Sequence, residues 1–288
     1  MIFHSDYTPT VEHAREMAAC AEMARTEVGL QKETLDSYTE LCQYYEKYLS
    51  TALGLEFARA TQSINRESLR ILDVGVGRGE TSLYLADQGH HVCVVEPSYE
   101  FCQAVDYVGH RFGKNLSIYS SPMEHLLIPH GQFDVVIFNV SLHHCDDPLR
   151  ALKVAYDVLV ECGQLLVVSE PMLPFFKSHE SVMEGLLKST HDLGHYGGNE
   201  HSYYYKEYIS MILKAGFRDV KSSPVARYRS RKAIEKALEL DHRKPGLAKT
   251  VKKTYLNLVH LLMAARLVPM LELVKQLSLI QVTFSATK

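Results

Sequence analysis

Five short runs between Leu69 and Glu170, RILDV, HHVCVVE, LSIYS, FDVVIFN and QLLVVSE, alternate with segments of helix length. The runs are apolar almost throughout, as strands covered on both faces must be, and β-branched residues are frequent in them. Such alternation folds as a mainly parallel sheet with helices on each face, so the expected class is α/β. Between the fourth and fifth runs, Asp147 and Pro148 supply a helix start, an acid at the N-cap followed by proline at the first helical position.

The flanks differ in texture. Residues 9–66 are rich in Ala, Glu, Leu and Met at helical spacing, as at Leu41, Tyr44, Tyr45 and Tyr48; the expected organisation is an N-terminal helical segment over 1–66 and a main domain over 67–288. A polar stretch rich in His and Tyr makes 172–205 a lid-like loop. The helix KEYISMILKAGF then ends at Gly216, and a sixth strand is expected near Val220–Arg227. Residues 229–277 read as a helical insertion, and SLIQVTFSA closes the chain as a strand near Leu279–Ser285.

Composition removes several classes of function. Lys plus Arg number 31 against 34 Asp plus Glu, and no basic block points to a phosphate backbone, so nucleic acid is not an expected partner. The six cysteines are scattered without CxxC spacing, which suits reduced thiols rather than a disulfide framework or a zinc site. The start lacks the basic flank and apolar run of a signal peptide, and a cytoplasmic protein is expected. The most apolar segment, Tyr255 to Leu277, is interrupted by Arg266, Pro269, Glu272 and Lys275, so stable membrane insertion is not expected. It reads as a core or dimer helix, which gives a homodimer a surface.

Behind the first run stands GVGRGE. Glycines at a strand-to-helix turn let backbone approach a ligand, and the following helix offers free amides. Gly75, Gly77 and Gly79 are spaced GxGxG, with Asp73 just before them, whereas a dinucleotide turn is spaced GxGxxG. Spacing and acid favour a methyl donor over a nicotinamide dinucleotide. Glu96 ends the second run, where a carboxylate can accept hydrogen bonds from ribose hydroxyls.

With LDVGVGRG (72–79), VVEPS (94–98), FDVVIFNVSLHHCDDP (133–148) and VLVECGQLLVVSEP (158–171) in order, the chain resembles the class I S-adenosylmethionine-dependent methyltransferases, in the broad group that includes quinone and small-molecule methyltransferases. The resemblance implies a Rossmann-like sheet of seven strands, mostly parallel, with an antiparallel last strand inserted beside the fifth. It implies S-adenosyl-L-methionine as cofactor, with Asp73 and the backbone around Gly75 and Gly77 at the methionine end, Gly79 also cofactor-binding, and Glu96 on the ribose. Pro97 would pack near the adenine, and the backbone carbonyl of Asn139 would lie beside the donor's amino group. Pro122 stands where relatives often carry an aspartate; Met123 is then the candidate for stacking on adenine and Glu124 the replacement acid. The helical insertion is a departure from the family pattern.

The resemblance also implies methyl transfer to a small-molecule acceptor by in-line displacement. NVSLHH replaces the NPPY-like sequence of amide- and amino-directed relatives, which favours an oxygen or carbon acceptor. His143 and His144 follow the fourth strand, where they either touch substrate or order the loop by hydrogen bonding to backbone. In HDLGHYGGNEHSYYY, His195, His201 and Tyr204 are candidates on a substrate-facing lid; an ordinary surface loop is the other reading, and the histidine spacing fits no standard metal motif. A non-catalytic donor-binding protein is the alternative from another class.

Overall fold

A computed structural model describes residues 2–4, 30–43, 66–114, 116–173, 178–181, 201–224 and 282–288, with scattered residues between 11 and 18, 57 and 64, and 250 and 265. The expected runs are strands: β2 Arg70–Val74, β3 His91–Val95, β4 Ser117–Ser120, β5 Phe133–Asn139 and β6 Leu159–Glu170, followed by β7 Arg218–Pro224 and β8 Val282–Thr287. Together with β1, Ile2–His4, they make one eight-stranded sheet in the order β1-β4-β3-β2-β5-β6-β8-β7. β8 runs antiparallel between β6 and β7, and the other ladders are parallel.

The seven strands expected from the sequence are present, and β1 adds an eighth at the sheet edge, pairing Ile2 with Ile118 and His4 with Ser120. It lies ahead of residues 9–66, whose composition is helical, within the segment 1–66 expected as the N-terminal helical one. A helix from that segment, α1 (Leu30–Gln43), packs against α2 (Glu80–Asp87) and α3 (Tyr99–Arg111), burying Thr34 and Tyr38. The Tyr38 ring meets the edge of Phe112 at 4.9 Å. The insertion over 229–277 lies almost wholly outside the described residues, as does most of the lid-like loop.

Local chemistry starts each crossover helix. Ser98 caps α3 by accepting from the Phe101 amide at 3.4 Å, and Asp147 caps α4 (Pro148–Val158) by accepting from the Arg150 amide at 2.9 Å. Connections from β2 through α2 to β3, and from β3 through α3 to β4, step one way across the sheet; β5 through α4 to β6 steps the other. Right-handed crossovers therefore put α2 and α3 on one face and α4 on the opposite one. A further helix, α5 (Tyr205–Lys214), packs against α4 and β7. Phe138, Phe284, Tyr208, Ile71 and Leu72 are among the fully buried side chains between these layers.

At the amino-terminal end of the sheet, Asp134 holds Arg66 Nη1 at 2.8 Å and Arg70 Nη2 at 3.0 Å and also accepts from the Arg70 amide. At the opposite end the strand order reverses between β2 and β5, which makes the carboxyl ends of these two strands a topological switch point. Ligands of open α/β sheets bind at that place.

Candidate active site

The turn after β2 places its three glycines at φ +68, +51 and +71, a left-handed conformation that costs other residues about 1–2 kcal/mol each. The structure separates their reasons. A Cβ on Gly75 would lie 2.5 Å from Ser141 Cβ, and one on Gly79 would lie 2.3 Å from Val105 Cγ2. Those two are required by protein packing. Among the described residues, nothing lies within 4 Å of a Cβ position on Gly77, so of the three it alone leaves its backbone open.

Two buried acids flank this turn. Asp73 Oδ2 accepts from Ser82 Oγ at 2.6 Å; burial pushes its carboxyl up to about 7, with Ser82 opposing and Glu80 adding to the rise. Glu96 accepts from the Ser98 amide at 2.9 Å and from the Gly77 amide at 3.2 Å. Burial pushes Glu96 up to about 7 as well, against the pull of the Ser98, Gly77 and Val76 amides and with some help from Asp73. Both acids would gain by neutralisation from a cation, and both would repel a pyrophosphate.

Beyond β3 and β4 the adenine candidates take different positions. Pro97 is half-buried after Glu96. Met123 is buried in the main core, and Glu124 turns its Oε1 to the Asp147 amide at 3.1 Å, tying the turn after β4 to the start of α4. Burial pushes the Glu124 carboxyl up, opposed by its own amide and those of Asp147 and Asp146. Asn139 ends β5 half-buried. Val140 then sits at φ +58, strained for a β-branched residue, while its amide donates to the Val168 carbonyl at 2.9 Å.

The loop after β5 is organised by Glu170, fully buried at the end of β6. Its Oε1 accepts from the Ser141 and Leu142 amides, both at 3.0 Å. Its Oε2 accepts from the His143 amide at 3.2 Å and from His143 Nδ1 at 2.8 Å, and Tyr208 Oη, which donates to the Pro171 carbonyl at 3.1 Å, lies 3.4 Å from it. Ser141 Oγ in turn donates to the Val74 carbonyl at 2.6 Å, joining this loop to the glycine turn.

His143 and His144 are adjacent rings 4.1 Å apart, and the His201 amide donates to the His143 carbonyl at 3.2 Å. The end of the lid-like loop is thus brought to the histidine pair. Tyr204 precedes α5 with its amide on Glu207 Oε2 at 2.7 Å and its ring against His179 at 5.2 Å. Tyr203 packs on Tyr208 at 5.5 Å; burial pushes its hydroxyl up to about 12, with Cys145 and Glu207 the next contributors. His195 lies outside the described residues.

Residues 72–167 match the model of a family described as a methyltransferase domain. The segment is a methyltransferase domain. A curated relative, the tRNA 5-carboxymethoxyuridine methyltransferase of Escherichia coli strain K12, is 24% identical over 146 residues, 49% of this chain and 52% of the relative. The chain therefore spans about half the length of that relative.

Two solved structures share the fold. One is phosphoethanolamine N-methyltransferase 2 of Haemonchus contortus, bound to phosphomonomethylethanolamine and S-adenosylhomocysteine: TM-score 0.54, 16% identity, 81% of this chain and 52% of that one. The other is the (4+2)-cyclase SpnF: TM-score 0.51, 17% identity, 81% and 79%. At these identities the likeness establishes the fold and leaves the reaction to the site.

Just past the matched segment, Glu170 is the residue that sequence reasoning passed over. Its signal was an acid ending an otherwise apolar strand, the same signal that singled out Glu96. Among the described residues, no cluster of three His, Cys, Asp or Glu side chains could hold a metal ion, and no helix is long and apolar enough to cross a membrane.

Proposed function

We propose that this protein transfers a methyl group from S-adenosylmethionine to a small-molecule acceptor, with oxygen or carbon as the receiving atom. The observation that carries the reading is the pairing of Gly77, open at its Cβ position, with Glu96, buried beside it and bonded to its amide. A carboxylate in that place suits ribose hydroxyls. A second buried acid, Asp73, favours a cationic donor over a dinucleotide diphosphate.

Asp73 and the glycine turn form the methionine end of the site, where Gly77 gives the backbone contact and Gly75 and Gly79 let the turn pack on Ser141 and Val105; Glu96 takes the ribose, Pro97 is on the adenine side with Met123 and Glu124 in the wall behind it, and Asn139 is beside the amino group. The donor supplies an electrophilic methyl group. What the protein adds is alignment and exclusion of water, the main sources of rate for a displacement of this kind. Where the acceptor must lose a proton, His143 and His144 supply the imidazole side of the site, with His195, His201 and Tyr204 contributed by the lid.

The E. coli relative is named for a tRNA substrate, so RNA is the second reading for the acceptor. A fold shared with a (4+2)-cyclase does not fix the reaction, so donor binding without methyl transfer is the third reading. One assay separates all three. The protein is incubated with methyl-labelled S-adenosylmethionine and, in parallel, with fractionated small-molecule extract or with total tRNA. Label in a small-molecule fraction with matching S-adenosylhomocysteine is the expected result. Label in tRNA moves the acceptor to RNA, and donor binding without S-adenosylhomocysteine in any arm favours the non-catalytic reading.

A further inference from the structure

We infer that Glu170 is a positioning residue that fixes the acceptor-side wall of the site, an inference that rests on the methyltransferase reading above. Three consecutive amides, Ser141, Leu142 and His143, all donate to its carboxylate, and His143 Nδ1 and Tyr208 Oη converge on the same group. Successive amides turned to one point form a nest for an anion. Here a side chain of the protein fills the nest, and the loop after β5 has its shape because a carboxylate is there.

The consequences run in two directions from that carboxylate. Ser141, held by its amide, places its hydroxyl on the Val74 carbonyl and its Cβ against Gly75, where no other side chain fits. That contact sets the distance between the acceptor loop and the donor turn. His143, held by amide and ring, turns its carbonyl to the His201 amide and its ring to His144. With Nδ1 donating to a carboxylate, the tautomer and the orientation of the His143 ring are both fixed. A carboxylate has about four acceptor positions, so the four donors of the loop, with Tyr208 Oη beside them, leave Glu170 none for a ligand. It acts through the loop and not on the substrate.

The test uses the full chain. Glu170→Gln presents an amide NH2 toward groups that are themselves donors, and Glu170→Asp keeps the charge one methylene short. In Glu170→Gln the expected result is a fall in kcat of about 100-fold, the scale of a misplacement near 1 Å, with S-adenosylmethionine affinity unchanged in calorimetry. Turnover is read with the extract fraction that accepts label from the wild type. Nitrogen-15 spectra should show loss of the His143 Nδ1 proton signal and faster exchange of the Ser141, Leu142 and His143 amides, while the Gly77 and Ser98 amides keep their protection. Glu170→Asp should recover part of kcat.

A wild-type kcat in Glu170→Gln overturns the inference, as does a parallel loss of donor affinity or retained amide protection. If Glu170→Gln fails to fold, Glu170→Asp decides: full kcat or an unchanged His143 signal refutes the inference. If the wild type binds no donor or transfers no methyl, the functional reading fails instead, and the imidazole and amide signals still decide whether Glu170 holds the loop.

Discussion

Alanine at Gly77 and alanine at Gly79 should separate ligand contact from packing within one turn. At Gly79, φ is +71 and the added methyl meets Val105 Cγ2 at 2.3 Å and Cγ1 at 3.0 Å. The left-handed backbone costs about 1–2 kcal/mol, and forcing a methyl into a packed core costs about 1–3 kcal/mol more. Against a total stability of about 5–15 kcal/mol, Gly79→Ala should lose about 2–5 kcal/mol, or roughly 4–20 °C in Tm at about 2–4 °C per kcal/mol. Gly77→Ala carries only the backbone cost, so its Tm should fall by roughly 2–8 °C. Its methyl, however, projects into space that the described residues leave open. Donor affinity should weaken at least about tenfold, equivalent to about 1.4 kcal/mol. Thermal melts followed by calorimetry with S-adenosylmethionine at a temperature where both variants are folded read the two effects separately. Wild-type donor affinity in Gly77→Ala, or a wild-type Tm in Gly79→Ala, would refute this division of roles.

The raised carboxyls of Asp73 and Glu96 make stability depend on pH. Their folded values of about 7 lie above the ordinary 3.8 and 4.5, so their contribution is full below about pH 4 and is lost as pH rises to about 7. Donor binding to ionised Glu96 reverses that loss: the Tm gain from S-adenosylmethionine should be larger at pH 8 than at pH 6, and Glu96→Gln should abolish the gain and flatten the slope. Asp134 should behave oppositely. Burial raises its carboxyl, but the Arg70 side chain and amide, with Arg66, outweigh burial and hold it below the ordinary value, so its stabilisation is lost as pH falls below about 4. Asp134→Asn should cost about 1–3 kcal/mol at pH 7, leave donor affinity unchanged in calorimetry, and show a shallower fall in Tm on acidification.

The strands from β2 to β6 were legible because a strand buried on both faces carries its own signal, a short apolar run. The antiparallel last strand followed from the resemblance and is present as β8. β1 had no such signal: three residues define no period, and it is a strand because the edge of β4 is there to pair with it. The glycine turn was legible as a place where side chains are excluded, but a missing Cβ looks the same whether the neighbour is a ligand or Val105. The sequence also cannot show that Met123 enters the core or that Glu124 turns to the Asp147 amide, because both depend on how α4 closes over the turn after β4.

Glu96 and Glu170 show most clearly where sequence reasoning stops. Each is an acid ending an apolar strand, in VVE and VVSE, and each is buried. Their difference lies in how many donors the rest of the chain delivers. Glu96 receives the Ser98, Gly77 and Val76 amides, short of the four or so bonds a carboxylate can accept. Glu170 receives four donors from the loop after β5, two of them from His143, with the Tyr208 hydroxyl of α5 beside them. An acid with acceptor capacity left beside an open turn can accept a ligand's hydroxyls. An acid filled by its own chain is built to hold that chain still.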